Sequence, residues 1–345
     1  MSTNKLQILI TGATGYIGGT VLQLLLEHPK RDTFEITAYL RSAEKAKKLE
    51  TFGVHTALGS LDDVDKLEDV ASKANVILNI ADCDHVAGNT AILRGLKKRH
   101  EKTGEVPILI HTSGTGVLTD DARGDQATDT IYYDTNTEQI EALPDTQMHR
   151  NIDLEVVAAD KAGYARTYII LPGVVYGPVS GKLVDAGIVH RHSMLLPFLI
   201  KAGLDRGQGG IIGAGKNIWP AVEVNETADL LLLVFNAALE HDKHPTPHGR
   251  EGFFFGENGE YPAIDVGRVI AKTLYELGKG KSPEPTPFTH DEAMKYFGGY
   301  VLGSNARARG DRARALGWKP TKTPADLMAS IKPEVEEYVA DLAGK

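Results

Sequence analysis

The chain has 345 residues, with 46 acidic against 38 basic side chains, a net charge of −8 and 42% hydrophobic residues. That acidity argues against a nucleic-acid footprint or an anionic membrane surface as partner, and no apolar run reaches the roughly 18–20 residues that span a bilayer. A single cysteine, Cys83, rules out an internal disulfide and fits a reducing compartment. The length suits one large domain or a domain with a smaller lobe. The N-terminal MSTNKLQILITG lacks a secretory pattern, so a cytoplasmic protein is expected.

The first predicted element, Leu6–Ile10, is a short apolar run with β-branched members, suited to a buried strand. The turn Thr11–Gly18 follows at once, and from Tyr16 to Glu27 apolar residues recur at helical spacing until His28-Pro29 stops the helix. Strand, glycine turn and helix in that order form an anion site, because a helix N-terminus offers unpaired N–H groups and the positive end of its dipole. Gly12 permits the tight turn, Gly15 lets backbone approach a pyrophosphate, and Gly18 lets the helix pack closely.

The second strand is Phe34–Leu40. Where an NAD-preferring fold usually carries an acid for the ribose 2′-hydroxyl, its tip offers Arg41, Ser42 and Lys45. A guanidinium fork and a second cation suit a 2′-phosphate, so NADP is the expected cofactor and NAD the less expected one. A solvated basic helix start is the alternative, with Glu44 and Glu50 nearby. Further strands are predicted over Gly53–Gly59, Asn75–Ala81, Val106–Thr115 and Tyr168–Pro178, with a helix at about Asn89–His100 between the second and third of these. Strands and helices alternating in this way predict an α/β fold with a parallel, doubly wound sheet, whose ligands sit outside the carboxyl ends of the strands. A helix over about Asn225–Leu239 should rejoin this core. The predicted division is residues 1–178 with 220–245 as a Rossmann-type dinucleotide domain, and 179–219 with 246–345 as a smaller C-terminal substrate lobe.

TGATGYIGG, with its GxxGxxG spacing, resembles the dinucleotide fingerprint of extended and atypical short-chain dehydrogenases/reductases. Gly59–Asp63 resembles that superfamily's GDLxD turn beside the adenine, with Ser60 at the usual first acid. Leu171–Pro178 resembles the LRPGxVYGP segment that meets the nicotinamide, with Leu171 in place of the arginine. The resemblance implies a dinucleotide bordered by Gly12, Thr14, Gly15, Tyr16, Ile17 and Gly18 at the turn, and by Ser60, Leu61 and Ala81 along the adenine and linkage. Thr112, His149, Pro172 and Val174 should stand near the nicotinamide.

The catalytic pair of that superfamily is missing. Its tyrosine works as general acid or base, a lysine four residues on lowers the tyrosine's pKa, and a hydroxyl after the fifth strand orients the carbonyl. Tyr132, Tyr133 and Tyr164 lead to Asn136, Thr137 and Tyr168, so none begins a YxxxK. Counting back from the LRP-like segment puts the lysine's place near His149 and the tyrosine's at Asp145. The hydroxyl's place falls at Gly114, between Ser113 and Thr115. His149 can hydrogen-bond a ribose as the lysine does, and an imidazole can also move a proton. It can equally be a packing or capping residue. Tyr132 or Tyr133, on the loop before it, can replace the missing phenol or simply pack.

No metal-ligand spacing is present. Arg307, Arg309, Arg312 and Arg314 read as a solvated helix face, or as partners of an anionic substrate. The histidines between His241 and His248 read as an exposed linker. HRNID, the HTSGTG turn and the SNARAR tail are similar to atypical members named loosely as epimerase/dehydratase-like. Three functions follow as expectations. The first is an NADP-dependent oxidoreductase acting on a small carbonyl or alcohol. The second is a non-catalytic dinucleotide-binding regulator similar to NmrA-like redox sensors, which lose the same pair. The third is a sugar-nucleotide epimerase or dehydratase, weakened by the missing YxxxK. A small-molecule substrate is the expected partner, with a homodimer left open.

Overall fold

The structure, a computed structural model, describes residues 5–343. Seven parallel strands form the central sheet: β1 Leu6–Thr11, β2 Phe34–Leu40, β3 His55–Leu58, β4 Val76–Asn79, β5 Ile108–Thr112, β6 Arg166–Pro172 and β7 Phe253–Gly256, in the order β7-β6-β5-β4-β1-β2-β3. Both faces are covered, so the strands are near-continuous apolar runs whose alternate residues serve different cores. Ile8, Ile10, Ile36, Leu78 and Ile110 pack under helix α1 (Tyr16–Leu26) on one face, while Leu9, Ile77, Leu109 and Ile169 pack on the other. Helix α2 (Ala43–Glu50) buries Ala46 and Leu49 on the first face, and α3 (Val64–Ala71), α4 (Val86–Thr103) and α5 (Arg150–Lys161) lie on the second. A one-residue slip in any inner strand would exchange the two cores.

The doubly wound parallel sheet agrees with the sequence reading, and helix α6, Val224–Leu239, packs against it. Two boundaries differ. Phe253–Gly256, expected in the smaller lobe, pairs with β6 in the register Phe253↔Ile169 and closes the sheet edge. Phe-Phe-Phe is an apolar run too short to be told from a buried helix segment by periodicity. The strand predicted over Tyr168–Pro178 is in fact two. It breaks at Gly173, where a β-carbon would stand 2.5 Å from the Pro220 carbonyl oxygen, and Val174–Tyr176 continues into a second sheet beside Ile218–Glu223. That sheet and helices Leu195–Arg206, Ala263–Glu276 and Pro324–Ala343 form the smaller lobe, around Tyr176, Ile200, Tyr261, Ile270 and Ile331. No described helix is long and apolar enough to cross a membrane.

Candidate functional site

The carboxyl ends of β1, β4, β5 and β6 converge on the space beneath the lobe. Gly12 has φ +72°, and a β-carbon there would lie 2.8 Å from the Ile80 carbonyl carbon at the end of β4. Only glycine adopts that conformation at no cost, and only glycine lets the two loops meet. A β-carbon on Gly18 would stand 2.3 Å from the Gly12 carbonyl oxygen, so helix α1 packs on the turn itself. Gly15 is the N-cap of α1. It offers no side chain, and the first turn carries no acid, so the helix's opening N–H groups are left without a side-chain acceptor. This backbone cradle fits a diphosphate. Thr14 lends its carbonyl to the His190 amide (3.1 Å), and Ile17 packs into the core. The Tyr16 side chain does not face the turn. Its hydroxyl donates to the Gly177 carbonyl, and burial raises its pKa, which leaves the residue only its backbone N–H for a ligand.

At the tip of β2, the Ser42 hydroxyl caps α2 by accepting from the Lys45 amide at 3.2 Å. Arg41 is exposed and Lys45 half-buried, and neither side chain joins an ion pair among the described residues. The turn after β3 is tied down. Tyr39 Oη donates to the Ser60 carbonyl (2.9 Å), the Ser60 amide donates to Asp63 (2.6 Å), and Leu61 lies against Gly88 at the start of α4.

Below these loops runs a buried polar chain that crosses the sheet. Thr11 Oγ1 accepts from the amides of Ile80 (3.1 Å) and Ala81 (3.2 Å) and donates to Asn79 Oδ1 (2.8 Å). Asn79 must then donate through Nδ2 to His111 Nδ1 (3.0 Å), which leaves the His111 hydrogen on Nε2, 3.9 Å from Asp153 Oδ1. Burial, and next the charge of His149, pushes His111 down to about 3, so it is neutral at physiological pH. Burial pushes Asp153 up to about 7, against the Ser113 hydrogen bond and the Arg150 charge. Ser113 Oγ donates to Asp153 Oδ2 at 3.1 Å. Ser113 is thereby held by the protein, whereas the buried hydroxyls of Thr112 and Thr115 have no partner.

His149 is the N-cap of α5, in the left-handed region at φ +65°, a conformation costly for a non-glycine residue. Its Nδ1 lies 2.7 Å from Asp84 Oδ1 and 3.4 Å from Cys83 Sγ. A carboxylate only accepts, so Nδ1 carries the hydrogen of the neutral ring and Nε2 is the free nitrogen. Nε2 comes close to the strand-end loop: β-carbons on Gly116 and Gly114 would stand 2.9 and 3.3 Å from it. Burial, with the carboxylates of Asp84, Asp153 and Asp82, pushes the Cys83 thiol up to about 12, so it remains a thiol. The three side chains bring one ligand atom each within 4.8 Å, a cluster hidden in the sequence by the distance from residue 84 to residue 149.

A cavity of 540 Å³ opens from this point into the lobe. Ser113, Thr115, His149, Pro172 and Val174 line its inner end, and Phe198, Trp219, Tyr261 and Leu302 are among its outer walls. Of the residues expected near the reacting centre, the structure places Ser113, Thr115, His149, Pro172 and Val174 on this wall, but not Thr112. Tyr132 and Tyr133 are not among them. They form a short strand against Ala308–Arg309, away from the cavity wall. The tyrosines that do line it, Tyr261 and Tyr296, lie far along the chain in segments with no motif.

The arginines of the tail are neither solvated nor free for a substrate. Arg307 and Arg309 both bind Glu260 (2.9 and 2.8 Å), Arg314 binds Glu257 (2.7 Å), and Arg312 donates through Nε to the Asp134 carbonyl. The histidine loop is not a bare linker either. His248 Nδ1 meets Asp160 Oδ2 at 2.8 Å, and its ring packs on His241 with centroids 5.0 Å apart.

Residues 4–98 match the model of the NmrA-like family. The oxidase ucsJ of Acremonium sp is 29% identical, over 96% of this chain and 98% of its own. Among solved structures, the UDP-glucose 4-epimerase of Thermotoga maritima has a TM-score of 0.64 at 15% identity, covering 98% of this chain and 100% of its own. A dTDP-glucose 4,6-dehydratase from Bacillus anthracis, solved in complex with NAD, has 0.62 at 17% identity, covering 97% of each chain. At such identities the last two speak for the fold alone.

Proposed function

We propose that this chain is an NADP(H)-dependent oxidoreductase of the atypical short-chain dehydrogenase/reductase type, in which His149 moves the proton. The observation that carries the reading is the position of His149, with Nδ1 on Asp84 and Nε2 toward the loop that ends β5, at the inner end of a largely apolar cavity. The cradle at Gly12, Gly15 and the first turn of α1 would hold the pyrophosphate, and Arg41 with Lys45 would hold a 2′-phosphate. Pro172 and Val174 would border the nicotinamide, which when bound supplies or accepts a hydride.

The chain's own contribution is proton transfer and orientation. In reduction, protonated Nε2 gives its hydrogen to the carbonyl oxygen; in oxidation, neutral Nε2 takes the hydrogen of the hydroxyl. Asp84 keeps the ring in the tautomer with Nε2 free, and stabilises the imidazolium formed when that nitrogen is protonated. The Thr115 hydroxyl at the same end is buried and has no partner among the described residues. The apolar walls keep bulk water from the reacting atoms.

The NmrA-like match favours a second reading, a dinucleotide-binding regulator without turnover. The cavity and the Asp84–His149 pair favour the enzyme, because a regulator that acts through its surface needs neither. The test is consumption of NADPH with a panel of ketones and aldehydes, using wild type and His149→Ala. Turnover by wild type and a loss of about 10²–10⁴-fold in kcat for the variant are expected. Tight NADPH binding with no turnover across the panel would move the assignment to the regulator.

A further inference from the structure

The walls of the cavity narrow the kind of molecule it can hold. Although the chain is rich in charge, no Asp, Glu, Lys or Arg among the described residues lines the 540 Å³ space. Its polar side chains are His149, Ser113 and Thr115 at the end nearest the strand loop, and Trp219, Tyr261 and Tyr296 elsewhere on the wall, all of them uncharged or, for His149, paired with Asp84. Beyond them stand Leu199, Ile211, Val266, Phe297 and Leu302. Trp219 offers no polar handle, since its Nε1 donates to the Ser304 carbonyl at 2.6 Å. Tyr296 Oη already accepts from Lys295 Nζ at 3.1 Å.

A sugar nucleotide placed here would bury a diphosphate with no cation to meet it, and an unpaired buried anion is among the costliest arrangements in a protein. The lobe's nearby cations do not remedy this. Arg307, Arg309 and Arg314 are each bound to Glu260 or Glu257, outside the cavity wall. The rim points the same way. Met194, just before helix Leu195–Arg206, and Phe198, on it, line the cavity and are still 75% and 52% exposed. Two large apolar side chains standing in solvent at a cavity mouth suit the entry of an apolar molecule.

We infer that the substrate is an uncharged, largely apolar molecule of drug-like size, bearing a carbonyl or hydroxyl that reaches His149 while its carbon skeleton fills the lobe. The inference rests on the proposed oxidoreductase reading for the reacting group, but not for the binding chemistry. Its test is therefore binding, with turnover scored separately. The probe is Nile red, an uncharged apolar dye, titrated into the full chain saturated with NADP⁺ and then competed with a tetracyclic ketone, with acetone or with UDP-glucose.

Saturable binding of Nile red, displacement by the tetracyclic ketone and none by UDP-glucose or acetone are expected. Met194→Asp and Phe198→Asp, at exposed positions where folding is not at stake, should weaken dye binding about tenfold or more with unchanged NADP⁺ affinity and melting temperature. Displacement by UDP-glucose, absence of saturable dye binding, or rim variants that bind as wild type would each overturn the inference. Apolar binding without NADPH consumption would uphold it while removing the oxidoreductase reading.

Discussion

The two ends of the site are built on different principles. At the dinucleotide end, backbone does the work. Gly12, Gly15 and Gly18 lie within seven consecutive residues, and what they offer a ligand is N–H groups and room. At the substrate end, side chains do it, contributed by segments as far apart as Ser113, His149, Phe198, Tyr261 and Leu302. A backbone cradle is local and repeats from protein to protein, whereas an assembled cavity depends on how distant segments pack. This is why the first end matches known patterns and the second resembles none of the motifs in the chain.

The most severe way to separate the two ends is Gly12→Val. The side chain would sit at φ +72° and collide with the backbone at Ile80, so calorimetry should detect no NADPH binding. Nile red should still enter the cavity, because no cavity wall includes Gly12. Loss of both together, with the fold intact by circular dichroism, would mean that the ends are one unit.

Next comes the polar chain beneath both ends. Asp153 is raised to about 7 in the fold, against about 3.9 in an unfolded chain. Between those values the folded state holds a proton that the unfolded state has lost. The associated stability is whole below about pH 4 and is lost as pH rises through about 7. His111, lowered to about 3 against about 6.5 unfolded, has the opposite slope, losing stability as pH falls below about 6.5. Asp153→Asn removes the first slope and keeps the second. Denaturant titrations at pH 4 and pH 8 should show the variant gaining on wild type by a few kcal/mol at the higher pH. A pH-independent difference would contradict this arrangement.

Smaller effects sharpen the cofactor end. Arg41→Ala should weaken NADP by about 1–3 kcal/mol, the scale of a lost charged hydrogen bond, and leave NAD nearly unchanged. Equal losses would detach Arg41 from the 2′-phosphate. Tyr133→Phe should alter nothing in kcat or KM, since Tyr133 stands on a strand beside Arg309 outside the cavity; a large fall in kcat would return the phenol to the reaction.

The sheet was legible because inner parallel strands must be apolar on both faces. Leu6–Ile10, Phe34–Leu40 and Val106–Thr115 could therefore be read without knowing their neighbours. Phe253–Gly256 has the same character, but it lies beyond the lobe's first helix and has no motif to draw attention to it. His149 was legible only by counting from a resembling segment. Its partner Asp84 was not, although an acid directly after β4, in Ala81–His85, was a usable signal. The fate of Tyr132, Tyr133 and the arginine tail was beyond sequence, because Glu257 and Glu260, which take up the arginines, come from a separate loop and strand.

The central claim is that a reduced pyridine nucleotide lies along the Gly12–Gly18 turn with its nicotinamide at the inner end of the apolar cavity. Titrating NADPH into the protein while following the fluorescence of its reduced ring tests both parts together. A saturable increase in wild type, abolished in Gly12→Val and reversed by an apolar ketone that enters the same cavity, is the predicted result. Fluorescence identical to that of free NADPH at every protein concentration would contradict the account.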